Sequence, residues 1–155
     1  MRKILFVCSG NTCRSPLALA AWRALEEKGQ APPDVEADSG GLMVSGSSPA
    51  SKHAAAIARN WQQDLSTHRA QMLDIKTSQS ADWIVVMNMS HAFALQEYLG
   101  VDEKKVFLLG RFDAQHGDDE ILDPFGGSRE AYETCALRIR RAVGNLAQAI
   151  ANQEI

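Results

Sequence analysis

Cys8, Arg14 and the residues between them are the first in the chain whose types and spacing suit covalent chemistry. The segment reads Cys8-Ser9-Gly10-Asn11-Thr12-Cys13-Arg14-Ser15-Pro16. A turn through Gly10 and Asn11 can aim successive backbone N–H groups inward and form an anion nest. A helix opening at Ser15-Pro16 adds the positive end of its dipole at the same point. Arg14 adds a planar fork matched to two phosphate oxygens, and the same field favours the thiolate of Cys8. A thiolate facing a bound phosphoryl group is an arrangement for covalent phosphoryl transfer. Taken singly, Cys8 reads as a buried strand cysteine and Arg14 as a surface ion-pair partner. Their register with Ser15-Pro16 favours the nucleophile and the phosphate ligand.

This chemistry needs a strand that ends at Cys8 and a helix that starts beyond Arg14. Ile4-Leu5-Phe6-Val7 is the apolar run of a strand buried on both faces. Ser15-Pro16 reads as an N-cap followed by Pro at the first helical position. Leu17, Ala21, Ala24 and Leu25 keep helical spacing as far as Gly29. Val35 to Ser39 is a weakly patterned strand, and Gly40 to Pro49 is Gly/Ser-rich and irregular. The spacing predicts further helices from Ser51 to Asn60, from Ser66-Thr67 through Met72 and Ile75, from His91 to Leu99, and from Ser128 to about Ala151. Strands are expected at Trp83 to Met87 and Val106 to Leu109, and a long polar loop from Gly110 to Gly127. On the last helix Tyr132, Cys135, Ile139, Val143, Leu146 and Ile150 form an apolar stripe, while Arg138, Arg140 and Arg141 read as a solvated face. Trp22, Trp61 and Trp83 read as packing residues, and His68 as a buried structural histidine. Strands alternating with helices point to an α/β parallel sheet covered on both faces. Ligands of such sheets bind beyond the carboxyl ends of the strands, where Cys8 falls.

Composition narrows the reading. A chain of 155 residues suits one domain spanning 1–155, and 45% hydrophobic with 23% charged residues is a globular balance. The net charge of −3 lacks the basic face of a general nucleic-acid binder. No run approaches the ~18 apolar residues of a membrane span, and Ile4 to Cys8 is too short for a signal-peptide core. A cytoplasmic protein with neither nucleic-acid nor membrane partners is expected. Three cysteines do not make a disulfide framework. With no CxxC and four scattered histidines, no metal site is expected.

The segment from Cys8 to Ser15 resembles the C-x5-R-S loop of the low-molecular-weight protein tyrosine phosphatases. Asp123-Pro124-Phe125-Gly126-Gly127-Ser128 looks like that family's Asp-Pro-aromatic loop. Asp64-Leu65-Ser66-Thr67-His68-Arg69 and Ala81 to Met87 resemble its further segments, so the likeness covers essentially the whole chain. The resemblance implies a four-stranded parallel sheet, order 2-1-3-4, with helices on both faces and the phosphatase loop after strand 1. It also implies that Cys8 attacks phosphorus and that Arg14 and the loop N–H groups of Ser9 to Cys13 hold the equatorial oxygens. Asp123 would protonate the leaving group and then deprotonate the hydrolytic water. Ser15 would hydrogen-bond the thiolate and Asn11 would brace the loop. No metal or cofactor is needed, and the substrates are phosphorylated protein residues.

Two positions depart from the typical tyrosine phosphatase. Gly126 stands where a second aromatic is common, leaving Phe125 as one substrate wall, and Thr12 stands where a larger apolar residue is common. Both resemble the bacterial protein-arginine phosphatases of the same family. The Thr12 hydroxyl suits a phosphoramidate, and Asp123 can pair with a guanidinium. Phosphoarginine is therefore favoured over phosphotyrosine. An arsenate reductase would need further cysteines, and residues 82–100 contain none. A non-hydrolysing phosphate-binding module is the remaining alternative. Ser39-Gly40-Gly41, where Ser-Ala-Gly is usual, is expected to loosen the loop after the second strand. Cys13 is a small core residue that could also close a protective disulfide with Cys8 under oxidation.

Overall fold

The computed structural model describes residues 1–155. Strand β1 (Arg2–Cys8) is the central element, because Ile4 to Cys8 are all buried. Its side chains alternate between the two faces of the sheet. Ile4, Phe6 and Cys8 enter one hydrophobic cluster and Leu5 and Val7 another. β1 pairs in parallel with β2 (Val35–Gly41) on one side and with β3 (Trp83–Val86) on the other. β3 in turn pairs with β4 (Val106–Leu108), giving the all-parallel order β2-β1-β3-β4. The architecture is the expected one.

Helices α1 (Arg14–Glu27), α2 (Lys52–Asn60) and α5 (Arg129–Ala151) cover the first face. All six stripe residues expected on α5 are buried there, as are Trp22 and Trp61. Helices α3 (Ile75–Ser80) and α4 (Met89–Leu99) flank the other face, where Ala92 and Leu95 of α4 meet Leu5, Val7 and Val86. No helix is long and apolar enough to cross a membrane.

Four sequence expectations are corrected. First, α1 begins at Arg14 with Cys13 as its N-cap and no side-chain cap, so Ser15 is inside the helix and its hydroxyl is used elsewhere. Pro16 lies in the first turn, where its missing N–H would have had no helical partner. Second, no helix runs from Ser66 to Met72. The Asp64 carboxylate accepts from the Ser66 N–H in a turn, and Met72 bridges to Gly41. The helix starts only at Ile75, where Asp74 caps the Thr77 N–H. Third, β2 runs on to Gly41, and Gly40 leaves no slack, since a Cβ there would overlap the Leu73 side chain.

The fourth correction concerns the arginines of α5. Arg138 is buried and Arg141 half-buried, and both clamp the buried carboxylate of Asp113. Their Nε atoms stand 3.1 Å and 3.0 Å from its oxygens. Burial works against the Asp113 charge, but hydrogen bonds from Arg141 and Arg138 outweigh it and hold the carboxyl below its ordinary range. Arg140, which stacks 5.5 Å from the Trp61 ring, is the member of the trio that stays on the exposed face.

Candidate active site

β1 delivers Cys8 to the carboxyl edge of the sheet, and the loop from Ser9 to Cys13 turns back into α1. Its carbonyls are held from outside. Ser9 O accepts from the N–H groups of Leu42 and Met43, at 3.0 and 2.9 Å. Thr12 O accepts from the Ser51 N–H at 2.8 Å, and Asn11 O from His68 Nε2 at 2.7 Å. All peptide bonds are trans, so the following N–H groups, of Gly10, Thr12 and Cys13, turn the opposite way, into the loop. Asn11 takes a left-handed conformation at φ 55°, which asparagine tolerates better than most residues. Gly41 must be glycine because a Cβ there would stand 2.8 Å from Ser9 O.

The buried side chain of Asn11 fixes the direction of the next hydrogen bonds. Its Oδ1 accepts from the Gln71 backbone N–H at 3.0 Å, so its amide nitrogen faces Ser15 and Ser39. Ser15 Oγ accepts from that amide at 2.7 Å, which leaves the Ser15 hydroxyl hydrogen for Cys8 Sγ, 3.0 Å away. Ser15 can thus donate to the sulfur when Cys8 is a thiolate, which can only accept. His68 is half-buried, and its ring donates to the loop backbone. Ser39 and Gln71 complete a network that no sequence motif singled out.

Arg14 is buried, with its side chain 4% exposed. Its Nη1 donates to Ile121 O at 2.9 Å, and its Nη2 lies 3.6 Å from Asp123 Oδ2. The loop that carries Asp123 is tied down along its length. Arg138 donates to Glu120 O at 2.7 Å and Asp118 O at 2.6 Å, and the Ile121 N–H donates to Met87 O at 2.9 Å. Gly110 packs so closely on Asp119 that a Cβ would overlap its backbone. The Asp113–Arg138–Arg141 cluster thus anchors the strand-four end of the loop to α5.

Asp123 is half-exposed and its Oδ1 accepts from the Phe125 N–H at 3.1 Å. Pro124 to Gly127 form a turn closed by a 2.8 Å bond from the Gly127 N–H to Pro124 O, with Gly126 at φ 76°. A positive φ at the third position of such a turn calls for glycine. Gly126 is a backbone requirement as well as a missing aromatic wall. Phe125 stands 82% exposed beside the opening.

Cys8, Ser9, Thr12, Arg14, Asp123 and Phe125 share one cleft of about 510 Å³, floored by the loop and also walled by Met43 and Tyr132. A second groove of similar size between α2 and α5, past His53, Trp61 and Arg140, has no nucleophile. No three His, Cys, Asp or Glu side chains converge as a metal site would require. Cys13 is buried, and burial first, then the nearby Cys135, Cys8 and Asp123, pushes its thiol up to about 12. Such a thiol is a poor nucleophile for pairing with Cys8. Cys135 is a core residue of α5.

His91, unremarked in the sequence, lies in the first turn of α4, buried behind the loop, with Nε2 2.9 Å from Ser9 Oγ. Burial, then the Arg14 charge, lowers its ionisation to about 4, against an opposing pull from Asp123. A histidine whose folded value lies below its unfolded one is fully stabilising only above the unfolded value of 6.5, and that stability is lost as pH falls towards 4. The expected result is a wild-type stability loss of about 3 kcal/mol across that window that is missing in His91→Gln. Urea melts of the two proteins at closely spaced pH values check it, and parallel curves would refute it.

Three comparisons bear on this geometry. The family described as "Low molecular weight phosphotyrosine protein phosphatase" matches residues 3–154. The chain is 32% identical to the protein-arginine-phosphatase of Geobacillus stearothermophilus, over 98% of each chain. It is 33% identical to the low molecular weight protein-tyrosine-phosphatase Wzb of Salmonella typhi, over 96% of this chain and 93% of the other. The solved structure of the Geobacillus stearothermophilus arginine phosphatase superposes with a TM-score of 0.84, covering 99% of this chain and 96% of the other.

Proposed function

Since the chain belongs to the low molecular weight phosphotyrosine protein phosphatase family, we propose that it hydrolyses phosphorylated protein residues through a phosphocysteine on Cys8, and that phosphoarginine is its preferred substrate. The observation that carries the mechanism is the 3.0 Å contact of Ser15 Oγ with Cys8 Sγ, in a cleft where Arg14 Nη2 stands 3.6 Å from Asp123. Residues 1–155 act as one catalytic domain. In the first step Cys8 Sγ bonds to phosphorus, and the bond from phosphorus to the leaving group breaks. Asp123 supplies the proton that the departing nitrogen or oxygen takes. Arg14 and the inward N–H groups hold the phosphoryl oxygens, whose charge grows in the transition state. In the second step Asp123 takes a proton from water as it attacks phosphorus, releasing phosphate and restoring the Cys8 thiolate. No step needs a metal or a cofactor. A reactive free thiol is maintained in the cytoplasm, where this reading puts the enzyme.

The choice of phosphoarginine rests on the walls of the cleft. Directly after Pro124 a single aromatic, Phe125, is followed by Gly126, and the floor beside Cys8 carries the Thr12 hydroxyl. Identities of 32% and 33% to relatives named for arginine and for tyrosine do not separate the two substrates. What favours phosphoarginine in this reading is the Thr12 hydroxyl, a polar group next to the reacting centre that suits a phosphoramidate. Matched phosphoarginine and phosphotyrosine peptides test this. The wild type is expected to favour phosphoarginine, and Thr12→Ile to move the kcat/KM ratio at least about tenfold towards phosphotyrosine. An unmoved ratio would remove Thr12 as the selector. A wild type that prefers phosphotyrosine would establish the second reading.

A further inference from the structure

Ser9 is the one hydroxyl of the loop whose Oγ is held by a histidine from another element. His91 Nε2 lies 2.9 Å from Ser9 Oγ, and its Nδ1 lies 3.4 Å from the Met87 backbone nitrogen. The Met87 N–H can only donate, so Nδ1 is the acceptor and Nε2 carries the ring proton. Nε2–H therefore donates to Ser9 Oγ. The ring is buried, and the Asn88 side chain caps the His91 backbone N–H at 3.0 Å where α4 opens. With one lone pair of its oxygen filled by His91, Ser9 keeps its own hydroxyl hydrogen free. Ser9 is only half-buried and lines the cleft directly after Cys8, where an anion is to be bound.

From this geometry we propose that the Ser9 side-chain hydroxyl donates to an oxygen of the bound phosphoryl group, and that His91 is the positioning residue that turns it there. The inference rests on reading the cleft as a phosphoryl site. It adds a side-chain contact to the backbone N–H groups and Arg14, and gives a role to the carboxyl end of β3. The donor is sequence-tolerant in its partner: any side chain at position 91 that presents an N–H in place of Nε2 and an acceptor in place of Nδ1 can serve. Glutamine meets both conditions and leucine meets neither.

The test combines kcat/KM on a phosphopeptide with calorimetric binding of inorganic phosphate, for Ser9→Ala, Ser9→Thr, His91→Leu, His91→Gln and the double variant Ser9→Ala/His91→Leu. A lost hydrogen bond to a charged group corresponds to about 10-fold or more in both quantities. Ser9→Ala and His91→Leu are expected to show that loss, and the threonine and glutamine variants to recover most of it. The double variant is expected to be no worse than Ser9→Ala, because His91 acts through Ser9. Losses that multiply in the double variant would show that His91 only supports the fold, and would overturn the assignment. Unchanged phosphate binding in Ser9→Ala would overturn it as well. A wild type that binds phosphate through Ser9 yet hydrolyses no phosphopeptide would contradict the phosphatase reading and leave the Ser9 contact standing.

Discussion

Cys8→Ser is expected to lower kcat by at least about 10⁴-fold on every phosphorylated substrate, with the fold intact. The size of the loss follows from what the sulfur does. A thiolate is the attacking atom, whereas a serine hydroxyl stays protonated at neutral pH and is a much weaker nucleophile. The fold should tolerate the change because serine is no larger than cysteine and can keep the bond to Ser15. The experiment measures turnover and urea stability together. Turnover near the wild-type rate in a stably folded Cys8→Ser would deny the sulfur its place as the attacking atom.

The second large effect belongs to Asp123. On phosphopeptides Asp123→Asn is expected to cost about 10²–10⁴-fold, the usual range for a lost general acid. The loss should depend on the leaving group. The arginine nitrogen leaves only when protonated, so phosphoarginine should show the full effect in the first step. An activated aryl phosphate such as p-nitrophenyl phosphate leaves without a proton, so its first step should be slowed little. The water-activating second step then becomes limiting. A loss of equal size in kcat/KM, which reports the first step, for both leaving groups would deny Asp123 the role of acid. The substitution is mild structurally, because asparagine can still accept from the Phe125 N–H and Asp123 is half-exposed.

The parts of this site that lie close together in sequence were readable there. Cys8 and Arg14 belong to one strand-loop-helix unit, and residue types with short-range spacing are enough to place them. The sheet order followed from a resemblance spread over the whole chain. What escaped the sequence is what tertiary packing decides. Arg138 and Arg141 looked solvated because they fall among charged residues of a long helix. The structure buries Arg138 because a single acid from a distant loop, Asp113, needs its charge met. Ser15 looked like a helix cap because Ser-Pro is a strong N-terminal signal. The helix instead starts two residues earlier and places the Ser15 hydroxyl against Cys8.

The false helix at residues 66–72 has a similar cause. The segment braces the phosphate loop, with the Gln71 backbone N–H on the Asn11 side chain and the His68 ring on Asn11 O. A backbone N–H given to Asn11 cannot also extend a helical ladder. His91 carried no motif at all. Its place was inferable only in outline, as the first turn of the helix that follows a central strand, whose carboxyl end must face the ligand.

The account stands most directly on the covalent intermediate. Asp123→Asn mixed rapidly with p-nitrophenyl phosphate, quenched in acid and digested for mass spectrometry should show one added phosphoryl group, located on Cys8. The same treatment of Cys8→Ala/Asp123→Asn should show none. A phosphoryl group on any other residue, or unlabelled protein while p-nitrophenol is still released at the steady rate, would contradict the proposed mechanism.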